Sequence, residues 1–365
     1  MECKIYPYGD EYAERKTFSD IITFLRFPLI ILVVCIHSKT ITYYNSPDIT
    51  GVLEIFFSEY LSLGAVPTFF FISGYLFFRN GFSLELYKRK VKSRVRSLLI
   101  PFILWGLIAF TILSIKYLPF FTPLFENLHK IPYDFNLFFM SFVDRPVPEG
   151  FTTNHTPLLY PLWYVRDLIV LVILAPLIFY FRNIKIWVLI ILSSVCGYIY
   201  IIGCEYQFYS ALFFVAGSYS PPLLIHYKSN SSKGFQLALL SALFLIMFVI
   251  SEYVLEGKYV NIAKFVMMIY LLPYYILVAD FFVNRGYCMR KFLVDSTFFV
   301  FCFHALVCGE FSAVLGKILN IYESIPVFCF FILLLFLTLI SSLFAFAFMR
   351  RFCPKTLSVL CGGRN

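Results

Sequence analysis

The chain has 365 residues, 60% of them hydrophobic and only 14% charged, with a mean hydropathy of +0.82. That balance excludes an ordinary soluble domain and places the chain among integral membrane proteins. Its net charge of +9 sits mostly in segments between apolar runs, so it speaks for membrane topology and against a nucleic-acid partner.

Residues 1–19 read as a cytoplasmic tail carrying Asp10, Glu11 and Glu14. No small-residue cleavage site follows the first apolar run, so a removable signal peptide is not expected. Ten spans of about 20 residues follow, near 20–39, 52–78, 98–118, 161–181, 186–204, 207–226, 235–254, 262–283, 292–315 and 325–349. They leave no room for a separate soluble domain, so residues 1–365 read as one all-α, polytopic transmembrane domain. With the N-terminus inside, 21 Lys and Arg fall on inner segments and 8 on outer ones. The positive-inside rule then predicts both ends, including a tail over 350–365, in the cytoplasm.

The first span holds two residues that an ordinary span would lack, Arg26 and His37. A cation in the bilayer core is costly, and such residues usually face a protein interior or a wet cavity. Eleven positions at about 100° each leave them about 20° apart around a helix and about 16 Å apart along it. They are expected to address two depths of one cavity. A neutral imidazole could take a proton from a substrate hydroxyl attacking an activated acyl group. A core histidine bonded to a backbone carbonyl is the plainer alternative. Arg26 is a permanent charge, able to hold donor oxygens, to stabilise an oxyanion or to pair with an intramembrane acid among Glu54, Glu59, Asp167, Asp280 and Glu310.

The loop over 79–97 is the densest basic segment, with Lys88-Arg89-Lys90-Val91-Lys92-Ser93-Arg94-Val95-Arg96. It can set topology, meet anionic headgroups or bind a phosphorylated cytosolic ligand. The connection over 119–160 is expected outside; its six prolines disfavour regular helix, and its length fits a lid or an acceptor surface. Asn154-His155-Thr156 fits a glycosylation acceptor pattern. His304 lies near the middle of the ninth span. The ten cysteines form no C-x-x-C pair and point to neither disulfides nor a metal site. Neither a serine-hydrolase elbow nor a phosphate-binding loop is found.

Five stretches in order resemble the integral-membrane O-acyltransferases of acyltransferase family 3. They are Arg26-x10-His37, Val66-Pro67-Thr68-Phe69-Phe70-Phe71-Ile72-Ser73-Gly74-Tyr75, Lys92-Ser93-Arg94-Val95-Arg96-Ser97-Leu98-Leu99-Ile100-Pro101-Phe102, Leu162-Trp163-Tyr164-Val165-Arg166-Asp167-Leu168, and Phe301 to His304. The resemblance implies transfer of an acyl group, commonly acetyl, from cytosolic acyl-CoA as co-substrate to a sugar hydroxyl of a cell-surface or exported glycan. It implies no bound cofactor, a bacterial inner-membrane location, and glycan-synthesis proteins as partners. It maps the base onto His37 and its partner onto Arg26, acyl-CoA binding onto Arg89, Arg94 and Arg96, and an acceptor pocket onto Ser73, Trp163, Asp167 and His304. Phe301 stands where such proteins often have tyrosine. A transporter or flippase of a glycan or lipid-linked sugar remains the alternative; a structural subunit of a glycan-synthesis complex is a third.

Overall fold

The computed structural model describes residues 18–40, 49–116, 142, 157–182, 187–201, 209–224, 234–319 and 325–363. Among them the regular structure is entirely helical. In chain order, α1 is Phe18–His37; α2, Gly51–Ile55, runs through a π-helical stretch, Phe56–Leu61, towards α3, Ala65–Phe78. The basic segment is helical rather than a loop: α4, Leu84–Arg94, continues through a second π-helical stretch, Val95–Leu99, into α5, Ile100–Lys116. The Ser83 hydroxyl caps α4 by accepting from the Leu86 N–H at 3.2 Å, and lysine and arginine are good helix formers.

Then come α6, Leu162–Ile173; α7, Ala175–Arg182; α8, Trp187–Ile201; α9, Tyr209–Tyr219; and the single turn α10, Pro221–Leu224. The chain closes with α11, Gly234–Tyr253; α12, Lys258–Asn284; α13, Lys291–Leu319; α14, Val327–Phe352; and α15, Pro354–Leu360.

Among the described residues each of the ten expected spans overlaps helix, but the helices differ in length. Seven of the described helical segments are long and apolar enough to cross a membrane. The fourth expected span is the pair α6 and α7, bent by 60°. The fifth and sixth, α8 and α9, have 15 and 11 residues, a rise of about 22 and 16 Å against a hydrocarbon core of about 30 Å. The described part of the run at 207–226 is thus too short a helix to cross alone, and most of α9 is buried in protein.

That short helix is held by α3. A Cβ on Gly74 would stand 2.1 Å from the Phe214 carbonyl oxygen, and one on Gly217 would stand 2.1 Å from that of Phe71. Two glycines thus let the backbones of α3 and α9 meet, the usual role of small residues where helices pack in lipid. Around them the core is aromatic, with Phe70, Phe77, Phe78 and Phe214 all nearly inaccessible.

The C-terminal segment does not trail free. Past α14, α15 folds back on α5: Leu357, Leu360 and Cys361 are buried, and the Trp105 indole N–H donates to the Leu360 carbonyl at 3.2 Å. Gly362, at φ +64°, brings the chain against the Ser97 backbone. Asp295 at the start of α13 lies 3.9 Å from Arg350 near the end of α14. Phe24 of α1 stacks on Phe282 near the end of α12. The start of α1 and the ends of α12 and α14 therefore share one end of the bundle. Against the expectation of no disulfides, Cys288 is disulfide-bonded. The expected outer loop and its Asn154 lie outside the described residues, apart from Phe142 and residues 157–160.

Candidate active site

Helix α1 carries both residues that the sequence singled out, and the structure assigns them to different surroundings. Arg26 lines a cavity of about 280 Å³ together with Ile30, Ser73, Arg94, Tyr164, Asp295 and Phe301, among others. The walls come from α1, α3, α4, the π-helical stretch after it, α6, α9 and α13, so residues remote in sequence converge there. Arg26 keeps accessible surface, while its neighbours Leu25 and Phe27 are buried. No ion pair to Arg26 or to Arg94 is found among the described residues. Glu59 is held by Lys39 and by Lys264 at 2.7 Å, Asp167 by Arg166 at 3.1 Å, and Glu310 by Lys116. Glu54 accepts from Thr40, whose hydroxyl stands at 2.7 Å, and Asp280 is fully buried in α12. Asp295 reaches the cavity wall with its carboxylate engaged by Lys291 at 2.8 Å.

Two guanidinium groups therefore share one cavity with no ion-paired carboxylate among the described residues. Like charges in a partly desolvated space repel, and the arrangement becomes favourable when an anion enters between them. The Tyr164 hydroxyl lies 3.1 Å from the Ser73 hydroxyl and close to the Arg94 charge. The phenol and the serine add neutral donors to the same wall.

His37 lies beyond this cavity, whose lining ends at Ile30 on α1 and at Phe301 on α13. Its ring centroid stands 5.2 Å from that of His304, and Tyr160 meets it edge-on at 5.1 Å. His304 is fully buried; its Nδ1 sits 2.9 Å from the Val300 carbonyl, and its Nε2 has no hydrogen-bond partner among the described residues. One turn further along α13, the Cys308 thiol donates to the His37 carbonyl at 3.2 Å.

The other expected site residues divide. Ser73 and Arg94 line the cavity and His304 meets His37. Arg89 and Arg96 are exposed and do not line it, because a helix that turns Arg94 inward carries those two positions outward. Trp163 is buried, 6.0 Å from the Phe70 ring and 6.2 Å from that of Tyr209, a packing position between α3, α6 and α9. Asp167 is also absent from the cavity lining. Tyr160, Tyr164 and Asp295 were not singled out from the sequence. For Tyr164 a signal was available, since it adjoins Trp163 in a quoted motif.

A family model described as an acyltransferase domain matches residues 20–347. The chain is also similar to the succinoglycan biosynthesis protein ExoH of Rhizobium meliloti (strain 1021), being 28% identical over 134 residues. That stretch covers 34% of this chain and 32% of the relative, so the match spans about a third of each. No solved structure matches. With nearly the whole helical bundle inside the matched range, the chain belongs to acyltransferase family 3.

Proposed function

We propose that the protein transfers an acyl group, acetyl in the first instance, from cytosolic acyl-CoA to a sugar hydroxyl of a cell-surface or exported glycan. The observation that carries this reading is the cavity lined by both Arg26 and Arg94, neither of which is ion-paired among the described residues. A donor bearing several phosphates supplies the anion such a cavity lacks. The relative named for succinoglycan biosynthesis supports a glycan as acceptor. The reading includes ten membrane passages in the bacterial inner membrane with both ends of the chain inside, α8 and α9 crossing as a pair of short helices. The donor then approaches from the end bearing α4 and the acceptor from the end bearing Tyr160.

In the reaction, the acceptor hydroxyl attacks the thioester carbonyl while His37 takes its proton. The tetrahedral intermediate collapses, the carbon–sulfur bond breaks, and the CoA thiolate leaves with that proton. Arg26 lies about 16 Å along α1 from His37 at 1.5 Å per residue. It therefore serves the donor's phosphates better than the oxyanion. The pantetheine arm would pass Tyr164 and Phe301 to reach His37.

The test is incorporation of label from radiolabelled acetyl-CoA into surface carbohydrate by membranes from expressing cells. His37→Ala should accumulate normally and lose about 10²–10⁴-fold in transfer, the range for losing a general base. Arg26→Lys should also be impaired, because an ammonium lacks the planar fork of a guanidinium. Full transfer by His37→Ala at normal abundance would sink the assignment, and movement of glycan without acyl labelling would favour a transporter.

A further inference from the structure

The His37–His304 pair contains a feature that the base assignment leaves unused. The Val300 carbonyl holds Nδ1 of His304 at 2.9 Å. A carbonyl only accepts, so Nδ1 carries the proton and Nε2 presents a lone pair. That lone pair is fully buried and meets no donor among the described residues, a condition that folded proteins rarely tolerate without a use. The nearest ring is His37, at 5.2 Å between centroids and tilted by 35°. An imidazole nitrogen sits about 1.1 Å from its ring centre, so an in-line N–H···N bond of about 2.9 Å needs centroids about 5.1 Å apart. The two rings already stand at that separation, so the bond forms where Nε2 of His304 and a ring nitrogen of His37 are turned towards each other.

We propose that His304 is a positioning residue for His37: its Nε2 accepts the N–H of His37 and so directs the lone pair on the other His37 nitrogen at the acceptor hydroxyl. This rests on His37 being the base. A neutral imidazole offers one N–H and one lone pair, and a base works only when the lone pair faces the substrate; the partner of the N–H decides which nitrogen that is. When His37 takes the substrate proton, the same contact becomes a charge-assisted bond and stabilises the imidazolium. Helix α13 supports the pair twice, through His304 and through the Cys308 thiol on the His37 carbonyl, which fixes the backbone from which the ring turns.

Three variants are assayed in membranes, with radiolabelled acetyl-CoA as donor and the cells' own surface polysaccharide as acceptor. His304→Leu removes the lone pair and keeps an apolar volume; kcat should fall about 100-fold with KM for acetyl-CoA unchanged. His304→Gln puts an amide oxygen near the former Nε2 and should stay within about tenfold of wild type. The double variant His37→Ala with His304→Leu should be no slower than His37→Ala alone, because the two residues act as a unit. A leucine variant at wild-type kcat overturns the proposal and leaves His37 as base. Should the leucine variant fail to accumulate, the glutamine variant decides alone: activity within tenfold supports the proposal, and a loss as deep as that of His37→Ala overturns it. Full activity of His37→Ala would remove the base assignment itself, a separate outcome.

Discussion

Replacing arginines one at a time around the basic end of the bundle distinguishes a shaped anion site from a diffuse positive field. Arg26 and Arg94 line the same cavity, whereas Arg89 and Arg96 are exposed outside it. A charge-assisted hydrogen bond to a phosphate contributes about 1.5–3 kcal/mol. At 1.36 kcal/mol per decade, each of Arg26→Ala and Arg94→Ala should raise KM for acetyl-CoA about 10- to 150-fold. Exposed ionic contacts contribute about 0–1 kcal/mol, so Arg89→Ala and Arg96→Ala should change KM by less than about fivefold. Neither cavity arginine has an ion-pair partner among the described residues, so removing one leaves no carboxylate stranded, and abundance should hold. The assay is initial transfer rate against acetyl-CoA concentration in membranes, normalised to protein by immunoblot. Equal rises for all four variants would show that the donor feels only the summed field. Unchanged KM in Arg26→Ala and Arg94→Ala would show that the donor binds elsewhere.

Gly217→Val should abolish accumulation, since its Cβ would stand 2.1 Å from the Phe71 carbonyl oxygen; Gly309→Ala, with nothing within 4 Å, should accumulate as wild type, both read by immunoblot of membranes. Leu357→Ala in α15, only 1% exposed, should cost about 2–5 kcal/mol, measured as an earlier thermal unfolding transition in detergent; an unchanged transition would mean that α15 does not brace α5. In a background lacking reactive thiols, single cysteines at 89 and 290 should label from the cytoplasmic side and one at 258 from the other. Labelling of 89 and 258 from one side would break the proposed orientation.

The sequence exposed the long helices well because period and length agree there: twenty apolar residues allow few alternatives. It also placed Arg26 and His37 on one face of α1, which the helix keeps. Their surroundings could not be read that way. The cavity around Arg26 closes at Phe301, so His37 falls beyond its end, and only the packing of α13 against α1 decides that. Likewise the choice of Arg94 over Arg89 and Arg96 depends on the rotation of α4 about its own axis. The burial of α9 depends on α3, its partner far away in the chain. The helical state of α4 was legible in principle: Ser83 before Glu85 and a run of lysine and arginine is a cap followed by good helix formers.

The glycine contact between α3 and α9 also bears on biogenesis. An 11-residue helix rises only about 16 Å, too little to span a hydrocarbon core of about 30 Å on its own. Such a segment does not partition into lipid by its own hydrophobicity as α11 or α14 does. It must enter together with α3, which leaves the ribosome much earlier. The insertion machinery therefore has to keep the Gly74 face of α3 uncovered, shielded from other helices and from lipid, until Gly217 has been synthesised. A delay or a competing partner at that stage would yield a chain with every long helix in place but without Phe214 in its cavity wall.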